Sequence, residues 1–309
     1  VNTKLRLVRK VCMEKYLFKE NREIDVICLG RLGIDFNCNE LNRPLEDVVT
    51  FTRTVGGSPA NIAVGIAKQG LNVGFVGRVA NNGLGKFIIN DFNSKNIDTS
   101  CIVIDKEAQN CLAITEIKSP DNCGGILYRD NVADLNLTYS DIDEEKIMNS
   151  KVLLISGTAL AKSPSREATI LAVDYAKKHG TTVVLDIDYR PYTWNSPEET
   201  SIYYNIICSK CDIIIGTREE FDVVEYLYNK DNNCDKSSAL YWIDRGVKLV
   251  VVKRGKEGST AWTNEGDEYD ANIFPAKLKK TFGAGDAYAA GLISYLIKGC
   301  SIPEAMKMG

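Results

Sequence analysis

Near the C-terminus runs Lys280-Thr281-Phe282-Gly283-Ala284-Gly285-Asp286, followed by small residues at helical spacing. Two glycines flanking an alanine permit positive φ and a close approach to the backbone. A helix that starts there offers unpaired N–H groups and the positive end of its dipole, which is the chemistry of an anion site. Asp286 in the same turn puts a base beside that anion, and the pairing suggests phosphoryl transfer to a hydroxyl. The plainer reading is a glycine-rich turn in which Asp286 caps the helix.

Other polar residues follow apolar runs, where ligands of an open parallel sheet gather. Asp35 stands just past the first run and either binds substrate hydroxyls or closes a turn. Gly56-Gly57-Ser58-Pro59-Ala60-Asn61 opens a helical stretch. A Ser cap with Pro in the first turn explains part of it; two adjacent glycines and an Asn able to donate and accept suit a polyol site. Asp186, Asp188 and Arg190 alternate after a later run, so they share one side if the strand continues. They form an internal salt bridge or handle phosphate and its metal. Thr217-Arg218-Glu219-Glu220 is a Thr cap with first-turn acids, or Glu220 helps hold Mg²⁺ through water. Lys253-Arg254-Gly255-Lys256-Glu257-Gly258 is a nucleotide-contacting loop or a hairpin turn. Competing motifs are absent: Gly85-Lys86 is followed by Phe87 where a P-loop needs Ser or Thr, and Gly30-Arg31-Leu32-Gly33 is not GxGxxG.

The elements that must position these residues alternate. Apolar runs at 24–30, 73–77, 152–156, 182–186, 212–216 and 248–252 read as buried strands. Helical patterns at 58–70, 85–96, 165–179 and 219–228 separate them, which predicts βαβ units, a mainly parallel sheet and helices on both faces. Strand-like segments at 48–55, 110–118 and 125–129 lack intervening helices and suggest a small β-sheet lid inserted around 48–55 and 110–129.

Composition agrees with an α/β domain. The 309 residues are 44% hydrophobic and 26% charged, with net charge −3, which carries no nucleic-acid footprint. No apolar run approaches the roughly 18 residues that span a membrane. The ten cysteines read as reduced thiols, and Cys208-Ser209-Lys210-Cys211 has no second pair and only His179 for company, which argues against structural zinc. Residues 1–23 read as an N-terminal extension or cloning remnant, and 24–309 as the main domain.

Taken together, the Gly56-Gly57…Asn61 segment and the Gly283-Ala284-Gly285-Asp286 turn resemble the two signatures of the ribokinase/PfkB family of carbohydrate kinases. Further segments, among them Asn42-Arg43-Pro44, Tyr128 to Asp134, Ser156 to Arg166 and Asp188 to Trp194, resemble the branch acting on a sugar acid of myo-inositol catabolism. The resemblance implies a three-layer ribokinase-like core with a β-sheet lid, and ATP- and Mg²⁺-dependent phosphorylation of the C6 hydroxyl of 5-dehydro-2-deoxy-D-gluconate. 2-Keto-3-deoxygluconate, fructose and ribose are the alternative substrates, and a sugar-binding regulator on a kinase fold is the alternative class. Asp286 would be the base, and the N–H groups of Gly283, Ala284 and Gly285 the anion hole for the γ-phosphate. Asp35, Gly57, Asn61 and Arg190 would bind the sugar acid, with Arg31 and Arg129 as candidates for its carboxylate, since guanidinium matches carboxylate bidentately. Thr217, Lys253, Gly255 and Gly258 would serve the nucleotide, and Glu220 the metal. Thr217 replaces the family's Asn, which is expected to alter a phosphate contact. Lys280 replaces an Asp tied to a monovalent-cation site, so its ammonium is expected to stand in for K⁺. The family usually continues beyond the point where this sequence stops, so a C-terminal segment is expected to be missing. The resemblance also implies a cytoplasmic enzyme whose lid pairs across a homodimer.

Overall fold

The computed structural model describes residues 17–119, 122–232, 234–274 and 282–309. Lys280, Thr281 and residues 1–16 therefore lie outside the described residues, and with them the expectation about the monovalent cation.

Fourteen strands occur among the described residues: β1 Ile24–Leu29, β2 Gly33–Cys38, β3 Phe51–Gly56, β4 Val73–Ala80, β5 Ile97–Asp98, β6 Ile102–Asp105, β7 Cys111–Ser119, β8 Asn122–Tyr128, β9 Ser150–Ser156, β10 Thr182–Asp186, β11 Ile213–Thr217, β12 Leu249–Lys253, β13 Ser259–Thr263 and β14 Glu268–Ala271. Ten of them form one sheet in the order β14-β13-β12-β11-β10-β9-β1-β4-β5, with β6 beside β4. Pairing is parallel from β12 through β5, and the β12–β13 and β13–β14 pairs are antiparallel, so only β13 runs in the reverse direction.

Successive side chains of a strand point to opposite faces, and here both faces are apolar. Val26, Cys28, Val184, Leu249 and Val251 face one layer with Ile62, Ile66, Phe92 and Leu292. Ile27, Leu29, Val183, Leu185, Val250 and Val252 face the other with Ala172, Tyr204, Phe221 and Trp242. Burying each such large side chain is worth about 1.5–3 kcal/mol. Helices Ser58–Lys68, Gly83–Ser94, Ala284–Ile297 and Ile302–Met308 cover the first face. Helices Glu144–Met148, Ser165–His179, Pro197–Cys208, Arg218–Val224 and Asp235–Ile243 cover the second. This is the expected three-layer arrangement.

The second sheet has the order β3-β2-β7-β8. It is the expected small β-sheet, with one addition. The sequence reading took Asp35 as a residue after the first strand, but Asp35 lies inside β2, paired with Thr54 on β3 and Ala113 on β7. The N-terminal reading also shifts. Leu17 is buried and Phe18 packs against the first core layer, while the Thr182 hydroxyl donates to the Leu17 carbonyl. At least these residues are part of the fold rather than an appendage.

Candidate active site

Three adjacent parallel strands end side by side on Asp186, Thr217 and Lys253. In an open α/β sheet this carboxyl edge is where ligands bind. The Ala284–Ile297 helix begins over the same edge. Gly283 is its N-cap with φ 78°, a left-handed conformation that favours glycine, and among the described residues no side-chain cap bond is made at the helix end. The plain capping role for Asp286 is thus not what the structure shows: Asp286 lies in the first turn, and its carboxylate accepts from Asn61.

Asp286 is held from another element. Asn61 Nδ2 donates to Asp286 Oδ2 at 2.8 Å. Burial pushes the Asp286 carboxyl up to about 6, the Asp186 and Asp188 carboxylates push it the same way, and the Asn61 bond partly offsets them. Next to it, Lys253 Nζ makes an ion pair of 3.0 Å with Asp186 Oδ1. A Cβ placed on Gly285 would lie 3.5 Å from that ammonium, so Lys253 sits against the helix's first turn. Burial works to lower the Lys253 pKa, but Asp186 and Glu220 outweigh it and keep the ammonium charged.

Protein atoms already require the Gly56-Gly57 pair, and Gly57 also lines the cavity between core and lid. A Cβ on Gly56 would lie 1.9 Å from Asp35 Oδ1, and one on Gly57 would lie 2.3 Å from the Arg31 carbonyl oxygen. The two glycines let the lid strand and the Arg31 backbone close onto the start of the Ser58–Lys68 helix. Ser58 is not that helix's cap as its sequence position suggested; Gly57 is, and the Ser58 hydroxyl donates to Asp186 Oδ2 at 2.8 Å.

Two cavities meet this edge. One of about 800 Å³ lies between core and lid and is lined by Arg31, Asp35, Asn61, Arg190, Gly283 and Asp286. Asn37, Thr54 and Tyr192 also line it and were missed. Asp35 and Asn37 alternate along β2, and that period of two was the available signal. The second cavity, about 790 Å³, is lined by Thr217, Arg218, Lys236, Lys253, Arg254 and Gly255. Gly255 begins a short 3-10 turn and Gly258 ends it, so Lys253 to Gly258 is a hairpin between β12 and β13 that also walls this cavity at Lys253 and Gly255.

Three assignments change. Arg129 does not line the first cavity; it is 5% exposed, bonds Asp134 Oδ2 at 2.6 Å and donates to the Thr158 carbonyl at 3.0 Å. Asp186, Asp188 and Arg190 do not alternate along one strand: β10 ends at Asp186, and Asp188 has φ 42°. Their salt bridge is real, with Arg190 Nη2 2.6 Å from Asp188 Oδ1. Thr217 and Glu220 form a full capping box, in which Glu220 Oε2 accepts the Thr217 N–H at 2.8 Å. Glu220 Oε1 accepts the Tyr189 N–H at 3.0 Å. Burial raises the Glu220 pKa, Lys253 works against that, and Asp186 adds to it. Among the described residues no group of three or more His, Cys, Asp or Glu is placed to hold a metal ion by itself.

The comparisons with known proteins agree with this geometry. The family description "pfkB family carbohydrate kinase" matches residues 23–309. A 5-dehydro-2-deoxygluconokinase of Geobacillus kaustophilus is 55% identical over 293 residues, covering 94% of this chain and 87% of that protein. A PfkB protein from Polaromonas sp. JS666 superposes with TM-score 0.82 at 26% identity over 92% of both chains. An uncharacterized sugar kinase from Pyrococcus horikoshii, solved in complex with ATP, gives TM-score 0.72 at 26% identity over 87% of this chain and 83% of that one. With a mainly parallel sheet whose carboxyl edge carries a helix N-terminus and a half-buried aspartate, and with that match over nearly its whole length, this chain belongs to the pfkB family of carbohydrate kinases.

Proposed function

We propose that this chain transfers the γ-phosphoryl group of ATP to the C6 hydroxyl of 5-dehydro-2-deoxy-D-gluconate, a step of myo-inositol catabolism. The observation that carries the reading is Asp286 in the first turn of the Ala284–Ile297 helix, facing the core–lid cavity and held by Asn61. Its raised proton affinity suits a general base that is charged at neutral pH yet takes a proton readily. Asp286 accepts the hydroxyl proton late in the transfer. The N–H groups of the Gly283–Gly285 turn receive the charge on the transferring group, and Lys253 beside them neutralises more of it. Asn61, Asp35 and the Gly57 turn orient the polyol.

The residues at the second cavity fit a nucleotide: Lys236, Lys253 and Arg254 line it with Thr217 and Gly255. Mg²⁺ fits only as an ion carried by the nucleotide phosphates, because Glu220 already accepts two backbone N–H groups and no three-ligand cluster exists among the described residues. Glu220 and Asp186 would face its water shell, and the ion would supply charge neutralisation.

The substrate reading is supported by the 55% identical relative's name and by Arg31 and Arg190 in the cavity wall. Coupled ADP release with ATP and Mg²⁺ tests it. The expected kcat/KM for 5-dehydro-2-deoxygluconate exceeds those for 2-keto-3-deoxygluconate, fructose and ribose by at least about ten-fold, the discrimination that paired polar groups give. A preference for any of the others would discard the substrate, and turnover of none would discard the kinase activity.

A further inference from the structure

Arg31 and Arg190 both line the core–lid cavity, and one buried carboxylate stands behind them. Asp188 is 3% exposed against 38% for Arg190, and it is absent from the cavity lining. Its backbone has φ 42°, a left-handed conformation that Asp and Asn adopt more readily than most residues. Three contacts fix the side chain. The Ser156 hydroxyl donates to Oδ2 at 2.9 Å, the Thr158 hydroxyl lies 3.5 Å from the same atom, and Arg190 Nη2 meets Oδ1 at 2.6 Å. Arg31 Nε is buried without a hydrogen-bond partner. Burial works to lower the pKa of each guanidinium, and Asp188 is the largest influence raising it, while Arg31 itself opposes the charge on Arg190. Asp134 also reaches Arg31, but it is committed to Arg129 at 2.6 Å.

The two guanidiniums repel each other and have Asp188 in common as a counter-ion behind the cavity wall, paired directly with Arg190, while Asp134 also acts on Arg31 and Glu220 on Arg190. Arg190, held on Asp188 and beside Arg31 in the cavity wall, offers guanidinium N–H groups that match one carboxylate. We propose that Asp188 is a positioning residue for substrate selection: anchored by Ser156 and Thr158, it holds Arg190 in the cavity wall beside Arg31, so that the site prefers a sugar monocarboxylate to a neutral sugar. The inference rests on the sugar-acid reading above and adds the group that positions Arg190.

The test is steady-state kinetics of the full chain with 5-dehydro-2-deoxygluconate, fructose and ATP. Asp188→Asn keeps the left-handed backbone and an acceptor for Ser156 while removing the charge. It should raise KM for the sugar acid about ten-fold or more, with KM for ATP within about two-fold, the loss expected of disturbed charge-assisted hydrogen bonds. Ser156→Ala, which removes the Asp188 anchor together with the Ser156–Thr158 hydrogen bonds but keeps the Asp188 charge, should raise the same KM by less. In an Arg190→Met background Asp188→Asn should add less than about two-fold, because residues acting through one another are not additive. An unchanged or lowered KM for the acid, an equal rise in KM for ATP, or full additivity with Arg190→Met would overturn the proposal. A wild-type preference for fructose would remove the sugar-acid reading and this inference with it, whereas a wild-type preference for the acid that Asp188→Asn leaves intact removes this inference alone.

Discussion

The core wall and the lid wall of the cavity are built on different terms. On the core side, three carboxylates at or just behind the wall are pinned by partners from other elements: Asp286 by Asn61, Asp186 by Ser58 and Lys253, Asp188 by Ser156. On the lid side the polar residues Asp35, Asn37 and Thr54 ride on a four-stranded sheet whose β3 is largely exposed. The groups proposed to handle charge and protons are those held rigidly, as preorganised electrostatics requires. Of the groups proposed to touch the polyol, Asp35 rides on the smaller sheet, while Asn61 and the Gly57 turn reach it from the core helix.

The sharpest break of that contrast is at Asp286. Asp286→Asn should lose about 10²–10⁴ in kcat, the span of general-base catalysis, in a coupled ADP assay. Near-normal turnover would remove the base from the core wall. Next comes Arg129, which stands near the lid in sequence but is buried on the core side. Arg129→Ala leaves Asp134 buried and unpaired, so it should cost about 3–5 kcal/mol in denaturant unfolding. Sugar-acid selectivity should survive in whatever folded protein remains. A selective rise in KM for the acid with unchanged stability would return Arg129 to the cavity.

A third effect joins pH to stability. The folded Asp286 pKa of about 6 lies above the ordinary 3.8. Its contribution is therefore fully present below the unfolded value and is lost as pH rises through about 6. The neutral Asp286→Asn should then be more stable than wild type by about 2–3 kcal/mol at pH 8, with little difference at pH 4. The wild-type kcat/KM should fall below about pH 6 as the base is protonated. A pH-independent stability difference would mean that the carboxyl is not held up by burial and its acidic neighbours.

The smallest expected effect is on the lid. The Arg53 guanidinium of β3 lies 3.8 Å above the Phe87 ring of the Gly83–Ser94 helix, a cation–π contact between lid and core. Arg53→Ala should change KM for the sugar by no more than a few-fold, in line with about 0.5–1 kcal/mol for an exposed pair. A loss in kcat as large as that of Asp286→Asn would show that the two walls are not separable.

Much of the fold was legible because burial on both faces writes itself as short apolar runs. Val183, Val184 and Leu185 read as a buried strand once the helix pattern at 165–179 preceded them, whereas the helix Pro197–Cys208 that follows went unread. The glycine turn before Asp286 was legible too, since left-handed backbone and helix starts have local chemistry. Asp35 was misread because a half-exposed lid strand mixes polar and apolar residues, and its strand character appears only in pairing with β3 and β7. Ser58 looked like a cap because capping is the local habit of Ser before a helix, while its partner Asp186 is 128 residues away.

The amino-acid sequence by itself determined the alternation of strands and helices, the helix start at Gly283 and the family signatures, because each depends on neighbours along the chain. Tertiary structure alone decided which charges meet. Arg31 and Arg129 were the candidates for the carboxylate and Arg190 a further substrate contact; Arg129 was closed off by Asp134, and Arg31 and Arg190 were left in the cavity wall. The field of a charge depends on distance and burial in space, and neither is written in the order of residues.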